Sequence, residues 1–205
     1  MTVSQKLTTL LFASIALSAS AIADEIYQRH CASCHGSEGA GNTLLGAPNL
    51  TLFSGVYLKR QLQGFKEGWR DTSDPHTRSM SAAITGLDVE VLAEVVLEID
   101  QLPDLKQISP AEPPVGNTDR GKDLYTAYCG ACHGTQASGN DALGAPSLLG
   151  LDVRYLVRQY RHFSEGRRGF HPDDRYGKQM NRLSRSLKDP SLIDDVSAYV
   201  AQLSQ

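Results

Sequence analysis

The sequence has only four cysteines among 205 residues, and no long apolar run follows its first 23 residues. A helix needs about 20 consecutive apolar residues to cross a bilayer, so no later segment is predicted to span a membrane. Neither sign of charge is in large excess, since 20 basic side chains face 23 acidic ones. This balance excludes nucleic acid as a partner, because such binding needs a strongly basic surface. No stretch alternates apolar and polar residues convincingly, which predicts an all-α fold.

The first 23 residues have the composition of a secretory signal peptide. Lys6 is their only charged residue, and an apolar run extends from Leu7 to about Leu17. The segment ends in Ala21-Ile22-Ala23, an A-x-A pattern that predicts cleavage after Ala23 and export to the periplasm. The alternative is a retained membrane anchor. It is less favoured because the apolar run is well short of about 20 residues.

All four cysteines lie in two copies of the pattern Cys-x-x-Cys-His, which is the attachment signature of c-type haem. Two thiols one helical turn apart can form thioethers with the two vinyl groups of a porphyrin. The histidine that follows can then ligate the iron. The sequence therefore predicts two covalently bound haem c groups, each with its iron. The predicted attachment residues are Cys31, Cys34, Cys129 and Cys132, and the predicted proximal ligands are His35 and His133.

Three other uses of paired cysteines are alternatives. Four cysteines can form a tetrahedral zinc site, a Cys-x-x-Cys pair can be a thioredoxin-like redox centre, and an exported protein can carry disulfides. None of these requires a histidine after each second cysteine. The redox centre also expects alternating strands and helices around the motif, which this sequence lacks. The repeated histidine therefore favours haem.

One unit of sequence occurs twice in the chain, with most residues of the first half recurring 98 positions later. Such a repeat predicts two copies of one structural unit. The offset grows to 100 at the methionines, which places inserted residues in a loop between Arg168 and Met180. The matching segments include Gly46-Ala47-Pro48 with Gly144-Ala145-Pro146, and Phe65-x-Glu67-Gly68 with Phe163-x-Glu165-Gly166.

Each unit is predicted to contain three helices. The first, at about 24–34 and 119–132, carries the pentad at its end. The second is predicted near 55–66 and 152–164, and an irregular stretch with the methionine follows. The last helix has apolar residues at a clear 3.6 period. Four prolines between the units favour an extended connector. The predicted organisation is a cleaved signal peptide at 1–23, an N-terminal domain at 24–102, a Pro-rich linker at 103–117 and a C-terminal domain at 118–205.

A second axial ligand for each iron is predicted at the methionines. After the signal peptide only Met80 and Met180 remain, 45 residues after His35 and 47 after His133. Both lie in polar segments rather than on apolar stripes, which argues against gap-filling in a core. A thioether ligand raises the reduction potential. With both axial positions filled, no open site is left for oxygen or peroxide, which favours electron transfer over catalysis.

The remaining histidines are rival ligands. His30 and His162 have no histidine at the matching position of the other repeat, and they are predicted to lie on the surface. His76 and His171 precede the two methionines at different distances and could line a haem crevice or bind a haem propionate.

The two halves differ in charge. Residues 24–112 carry 7 basic and 13 acidic side chains, whereas residues 113–205 carry 12 and 10. One hypothesis is a molecule with two poles, in which one haem receives electrons and the other delivers them. The alternative is two solvated surfaces without such a role. The basic residues proposed for a docking face or a propionate clamp are Arg154, Arg158, Arg161, Arg167 and Arg168.

The paired pentads, the Gly-Ala-Pro turns, the Phe-x-Glu-Gly segments and one methionine per half resemble class I c-type cytochromes duplicated in one chain, specifically the dihaem cytochrome c4 group. The resemblance covers the whole chain after residue 23. It implies a periplasmic electron carrier, sometimes loosely membrane-associated, with two tandem class I cytochrome c domains related by a pseudo-twofold axis. The axial pairs it implies are His35 with Met80 and His133 with Met180.

One helix crossing departs from that pattern. Gly121 and Tyr125 fit the Gly-x-x-x-aromatic crossing of such cytochromes, but the first half has Ala23 and Tyr27. Cleavage after Ala23 would remove one member of the first pair, which puts the tightness of that crossing in doubt.

The predicted function is transfer of single electrons between redox proteins. The donor would be a quinol-oxidising complex or a dehydrogenase, and the acceptor a terminal oxidase or reductase. The alternative is an electron-accepting cytochrome subunit of a sulfide or thiosulfate dehydrogenase complex. A dihaem enzyme is the least favoured class, since it needs an open or exchangeable axial position.

Overall fold

The computed structural model describes residues 22–103, 105, 115–187, 189 and 191–204. Within these residues extended backbone pairs only at three isolated bridges, and helices form the rest of the regular structure. The all-α prediction is confirmed. Most of the predicted signal peptide and most of the predicted linker lie outside the described residues. Among the helices of the described residues, none has the length and apolar character needed to cross a membrane.

The same order of five helices occurs in both halves of the described chain, as the repeat predicts. Short 3-10 turns at Leu50–Leu52 and Asp141–Leu143 come before the third helix of each half. The first half contains α1 (22–30), α2 (Ala32–His35), α3 (Gly55–Lys66), α4 (Pro75–Ala83) and α5 (Val89–Gln101). The second half contains α6 (Thr118–Tyr128), α7 (Gly130–His133), α8 (Val153–Ser164), α9 (Arg175–Ser184) and α10 (Leu192–Leu203).

Side-chain caps explain where the third helix of each half begins, and glycines explain where it ends. The Ser54 hydroxyl accepts a hydrogen bond from the backbone N–H three residues later, at 3.3 Å, and the Asp152 carboxylate does the same at 3.0 Å. Gly68 and Gly166, with φ of +72° and +77°, follow the C-terminal ends, where left-handed backbone favours glycine. These helices agree with the predicted ranges to within one residue.

The prediction of irregular backbone around both methionines is wrong. Met80 lies in α4 and Met180 in α9. Asp74 caps α4 and Asp174 caps α9, each by accepting a hydrogen bond from a backbone N–H three residues later. Both helices have mostly polar sequences, so the apolar period that identifies a helix is absent and the caps define them instead.

The prediction of one helix per pentad is also wrong. Helices α1 and α2 meet at Cys31, and α6 and α7 meet at Cys129, where φ widens to −115° and −116°. Each pentad therefore starts a separate short helical turn at its first cysteine. His35 and His133 end these turns, and the next residue in each case is a glycine with φ of +79°.

Each half has a core in which the first helix packs on the last. Tyr27 of α1 contacts the cluster that contains Val95 of α5, and both side chains are almost fully buried. Tyr125 of α6 occupies the equivalent place against Val196 of α10. The tyrosine hydroxyls donate to backbone carbonyls directly after the pentads, at 2.7 Å and 2.6 Å. The core thus ties each helix crossing to its pentad.

The two crossings differ in how closely the helices approach. A Cβ at Gly121 would collide with the backbone carbonyl of Asp195 in α10, so only glycine fits there. Ala23 stands at the matching position of α1 and is 2 % exposed. The first crossing therefore accommodates a Cβ, and Ala23 is a buried part of it.

The halves meet through reciprocal contacts, as expected for a pseudo-twofold arrangement. An isolated antiparallel bridge joins Arg70 to Arg168, and the backbone N–H of Asp71 donates to the carbonyl of Arg167 at 3.0 Å. Arg168 also donates across the interface to Gln61 at 2.9 Å. These contacts bring the segments that follow α3 and α8 together at the interface, with Gln61 of α3 beside them.

Candidate haem sites

The histidine of each pentad is buried and held in one orientation. His35 Nδ1 lies 2.9 Å from the carbonyl oxygen of Pro48, and His133 Nδ1 lies 2.9 Å from that of Pro146. A carbonyl oxygen can only accept, so Nδ1 carries the proton and Nε2 keeps its lone pair. Burial lowers the pKa of both histidines, which keeps the imidazoles neutral. A neutral imidazole with a free Nε2 is the form that ligates iron.

The two thiols of each pentad lie one helical turn apart, and all four cysteines are free. Cys34 and Cys132 are exposed, whereas Cys31 and Cys129 are partly buried. Burial, together with the second cysteine nearby, raises the pKa of Cys31 to about 11 and that of Cys129 to about 12. These thiols are therefore protonated near neutral pH, which disfavours a thioredoxin-like redox centre with its acidic thiol.

A cavity of about 370 Å³ brings the four predicted residues of the second site together. Cys129, Cys132, His133 and Met180 all line it, although Met180 comes from α9 rather than from the pentad. Apolar side chains such as Leu148 and Tyr160 form much of the wall. A cavity with a thiol pair, a neutral imidazole and a thioether in an apolar wall suits a covalently attached haem.

The first site has the same elements in the same order. Cys31, Cys34 and His35 follow α1, and Met80 lies in α4. The His30 ring contacts the carbonyl of Ala83 through Nδ1 at 3.0 Å, which joins the end of α1, directly before the pentad, to the end of α4. The methionine helix thus packs beside the pentad in this half.

Two buried arginines between the halves support the presence of anionic groups there. Arg70 and Arg168 are 9 % and 6 % exposed, and in the described part of the chain neither forms an ion pair with a carboxylate. Their hydrogen-bond partners include the neutral amides of Gln61 and Gln159. Burial and the neighbouring Arg168 lower the pKa of Arg70 to about 9. Buried cations without counter-charges fit the propionates of two haems.

The sequence-based reading overlooked Arg70, although a signal for it exists. Arg70 and Arg168 occupy the same place in the repeat, two residues after the glycine of Phe-x-Glu-Gly. Their aromatic contacts also match. The guanidinium of Arg70 lies 4.0 Å from the ring centroid of Phe65, and that of Arg168 lies 4.1 Å from the ring centroid of Phe163. An arginine that recurs together with the aromatic residue it contacts is the sequence signal for this pair.

The proposed arginine face of the second half does not form one surface. Arg158 and Arg168 turn into the interface, where Arg158 donates to the carbonyl of Gly46 at 2.5 Å and Arg168 is buried. Arg154 contacts Asp152 at 3.8 Å and Arg167 contacts Glu165 at 2.9 Å, both on the outside. A docking face that uses all five arginines is therefore wrong.

The surface prediction for His162 is wrong as well. His162 is 6 % exposed, and its Nε2 lies 3.4 Å from Oδ2 of Asp74 in the other half. His76 also faces this carboxylate, at 3.7 Å. His171 stacks on Trp69 across the interface with ring centroids 5.7 Å apart. His162 and His171 therefore contact the other half directly, and His76 shares the Asp74 carboxylate with His162.

A zinc site is not supported by the described residues. Within them, no group of three or more histidine, cysteine or acidic side chains is arranged to hold a metal ion. The two cysteine pairs belong to separate halves of the molecule and do not converge. Each pair instead stands beside its own buried histidine, as covalent haem attachment requires.

A duplicated helical fold with a cysteine pair, a neutral buried histidine and a methionine helix in each half defines a c-type haem protein. The family model for cytochrome c matches residues 20–95 and 118–204. The chain belongs to the cytochrome c family. It has two cytochrome c domains with one covalently bound haem c each.

Relatives with known names agree with this assignment. The thiosulfate dehydrogenase electron acceptor of Stutzerimonas stutzeri is 29 % identical over 180 residues, which cover 85 % of this chain and 79 % of the relative. The cbb3-type cytochrome c oxidase subunit FixP of Bradyrhizobium diazoefficiens is 30 % identical over 194 residues. These cover 87 % of this chain but only 59 % of that subunit.

Solved structures share the fold. Cytochrome c4 from Pseudomonas stutzeri superposes with a TM-score of 0.69 at 23 % identity, covering 89 % of this chain and 97 % of that one. Thiosulfate dehydrogenase from Marichromatium purpuratum gives 0.68 at 24 % identity, covering 89 % of this chain and 40 % of that one. The resemblance to the dihaem cytochrome c4 group is confirmed at the level of the duplicated fold.

Proposed function

We propose that this protein is a periplasmic carrier of single electrons between a respiratory donor and a terminal oxidase or reductase. The haem irons supply reversible one-electron chemistry. The cavity that unites Cys129, Cys132, His133 and Met180 is the observation that supports this proposal most strongly. With Met80 and Met180 as second ligands, neither iron would keep an open position for oxygen or peroxide, which favours electron transfer over catalysis.

We assign His35 with Met80 and His133 with Met180 as the axial pairs. The carbonyls of Pro48 and Pro146 hold the imidazoles through Nδ1, which orients Nε2 and raises its basicity as a ligand. The thioether sulfurs of Met80 and Met180 would favour the ferrous state of the iron. Both domains would then accept electrons from quinol-level donors and pass them to an oxidase.

The domain boundaries follow the repeat, with domains at 24–102 and 118–205 joined by a linker at 103–117. A signal peptide would direct the chain to the periplasm, where covalent attachment of haem takes place. The burial of Ala23 favours cleavage at the earlier pattern Ala19-Ser20-Ala21 over cleavage after Ala23, because the earlier site keeps Ala23 in the mature protein. The intact mass of the exported protein distinguishes the two sites.

Electron exchange with respiratory partners tests the proposed function directly. The chemically reduced protein is mixed with oxidase-containing membranes, and reoxidation is followed at the haem absorbance. We expect catalytic amounts of membrane to reoxidise both haems, and cyanide to block this through the oxidase without binding to the carrier. Slow reoxidation of a properly loaded protein, or direct cyanide binding to its haems, would contradict the proposal.

The second candidate is an electron-accepting subunit of a sulfide or thiosulfate dehydrogenase complex. It is favoured by the Stutzerimonas stutzeri relative, whose name states that it accepts electrons from thiosulfate dehydrogenase. A subunit would co-purify with its dehydrogenase at constant stoichiometry. A free carrier would purify alone and react with more than one donor.

A further inference from the structure

Two arginines cross the domain interface in a reciprocal pattern. Arg60 in the first domain donates through Nη2 to the carbonyl of Gly144 in the second, at 2.6 Å. Arg158 in the second domain donates through Nη2 to the carbonyl of Gly46 in the first, at 2.5 Å. Arg60 and Arg158 are separated by the 98 residues of the repeat, as are the two glycines. Each domain thus donates a hydrogen bond to the equivalent glycine of the other domain.

These two glycines belong to the turns that hold the proximal histidines. Gly46 lies two residues before Pro48, whose carbonyl accepts from His35, and Gly144 lies two residues before Pro146, whose carbonyl accepts from His133. Between glycine and proline each turn is pinned by a two-way backbone bridge, at Ala47 in the first domain and at Ala145 in the second. A displacement at the glycine is therefore passed along a short, stiff segment to the histidine.

The close approach of each arginine leaves no space for a side chain on the turn. Both glycines have φ of +65°, a conformation that favours glycine. A Cβ at Gly46 would lie 2.7 Å from Nη1 of Arg158, and a Cβ at Gly144 would lie 2.8 Å from Nη1 of Arg60. The repeated glycine is thus explained by its left-handed backbone and by crowding, from Arg158 and His76 at Gly46 and from Arg60 and Tyr176 at Gly144.

The two arginines are themselves held in place, but by different neighbours. The Arg60 guanidinium lies between the rings of Tyr57 and Tyr176, at 5.2 Å and 4.6 Å from their centroids, and Tyr176 belongs to the second domain. The Arg158 guanidinium lies 5.4 Å from the ring centroid of Tyr155, and His76 takes the place of the second tyrosine beside Gly46.

The cavity of the second site shows to which haem Arg60 belongs. Arg60 lines that cavity although it comes from the first domain, whereas Arg158 of the second domain does not line it. Arg60 therefore belongs to the first domain in sequence but lies at the site of the second domain.

We propose that Arg60 and Arg158 are crossed positioning residues, each fixing the proximal-histidine turn of the other domain and thereby setting the reduction potential of the other domain's haem. This inference rests on the proposed function. It makes the potential of each haem depend on the docked state of its partner domain. Loss of either guanidinium removes a positive charge near the opposite turn, which favours the ferric state of that haem and lowers its potential. The turn would in addition hold its histidine less firmly, because it loses a hydrogen bond.

The test compares Arg60→Gln and Arg158→Gln in the full holoprotein. Each haem potential is measured by redox titration followed by NMR of the haem methyl signals, which are assigned by their contacts within each domain. Arg154→Gln is the matched control, because Arg154 lies on the same helix as Arg158 but is exposed and contacts Asp152. Arg60→Lys and Arg158→Lys keep the charge and one donor and are the conservative variants.

We expect a crossed result. Arg60→Gln lowers the potential of the second haem more than that of the first, Arg158→Gln does the reverse, Arg154→Gln changes neither, and the lysine variants restore most of each shift. Shifts that are larger in the variant's own domain, equal in both domains, or absent would overturn the proposal.

A second readout covers variants that lose stability at the interface. In the reduced protein, the Nδ1 proton of His133 should exchange faster in Arg60→Lys than in the wild type, and that of His35 should do so in Arg158→Lys. Faster exchange in the variant's own domain, or no change in exchange, would contradict the proposed role of the two arginines. If the wild-type protein lacked two methionine-ligated haems, the proposed function would be overturned. The proton exchange rates would then test the role of the two arginines by themselves.

Discussion

The two domains share the residues that are assigned to haem binding and differ at several positions where they face each other. The pentads, the turns with their histidine acceptors and the buried arginines all recur. At the interface the pairs diverge: Gly64 against His162, Trp69 against Arg167 and His76 against Tyr176. The repeat is therefore kept where both copies bind the same group. It is relaxed at these three positions, although Arg60 with Arg158 and Arg70 with Arg168 are kept at the interface.

The divergent residues have complementary roles. Trp69 packs against Gly64, where a Cβ would lie 3.1 Å from the indole ring, and it stacks on His171 of the second domain. In the second domain His162 occupies the space instead and reaches Asp74, which caps the helix of Met80. The second domain thus contacts the methionine helix of the first through a titratable side chain.

The largest expected effect comes from removing one pair of cysteines. Replacing Cys31 and Cys34 by serine should abolish covalent haem in the first domain only, since thioethers need both thiols. The matched variant replaces Cys129 and Cys132. Intact mass spectrometry should show one haem per chain in each variant. Two haems in either variant, or none in both, would show that the domains do not bind haem as equivalent, separate units.

The next effect concerns the axial methionines. Met80→Ala and Met180→Ala should each open one iron, so that cyanide binds with a stoichiometry of one per chain. The neighbouring Gln179→Ala, which keeps the thioether, is the control. Spectrophotometric titration measures the stoichiometry. If Met180→Ala remained closed to cyanide, another residue would have to be the ligand of the second haem.

A smaller effect distinguishes the two helix crossings. Gly121→Ala forces a Cβ into the carbonyl of Asp195 and should destabilise the second domain by about 1–3 kcal/mol. Ala23→Gly opens the first crossing and should cost about 1 kcal/mol, the difference in helix propensity. Denaturant unfolding of the holoproteins measures both. A larger loss for Ala23→Gly would reverse the assigned order of tightness.

The smallest effect is a pH dependence of stability. Burial, which outweighs the opposing charge of Asp74, lowers the pKa of His162 below its ordinary value of 6.5. The unfolded chain therefore binds the proton more readily than the folded chain, so the stability falls as the pH drops below about 6.5. His162→Gln should flatten this fall, because it removes the group whose pKa is lowered on folding. Unfolding curves at several pH values measure the slopes, and an unchanged slope in His162→Gln would contradict the assignment.

Much of the site was predictable because its chemistry is local in sequence. Five consecutive residues specify haem attachment, and the repeat identifies one methionine per half. The helices around Met80 and Met180 were missed because their polar sequences lack an apolar period. Asp74 followed by Pro75 was nevertheless a usable start signal.

The interface was less predictable for a physical reason. His162 and Asp74 are 88 residues apart, and His162 has no counterpart in the repeat, so no local rule joins them. Arg60 and Arg158 are visible as a repeated pair, but a repeat cannot tell whether such residues act within their own domain or across the interface. That distinction depends on how the domains dock.

The most direct test of the central claim is the near-infrared spectrum of the oxidised holoprotein, measured together with its haem content. Methionine bound to ferric haem gives a weak charge-transfer band in this region. The account predicts two haems per chain and a band with the intensity of two methionine-ligated haems, unchanged by cyanide over minutes. Intensity for a single haem, or rapid cyanide binding at one iron, would contradict the equivalence of the two sites and open that domain to a catalytic role.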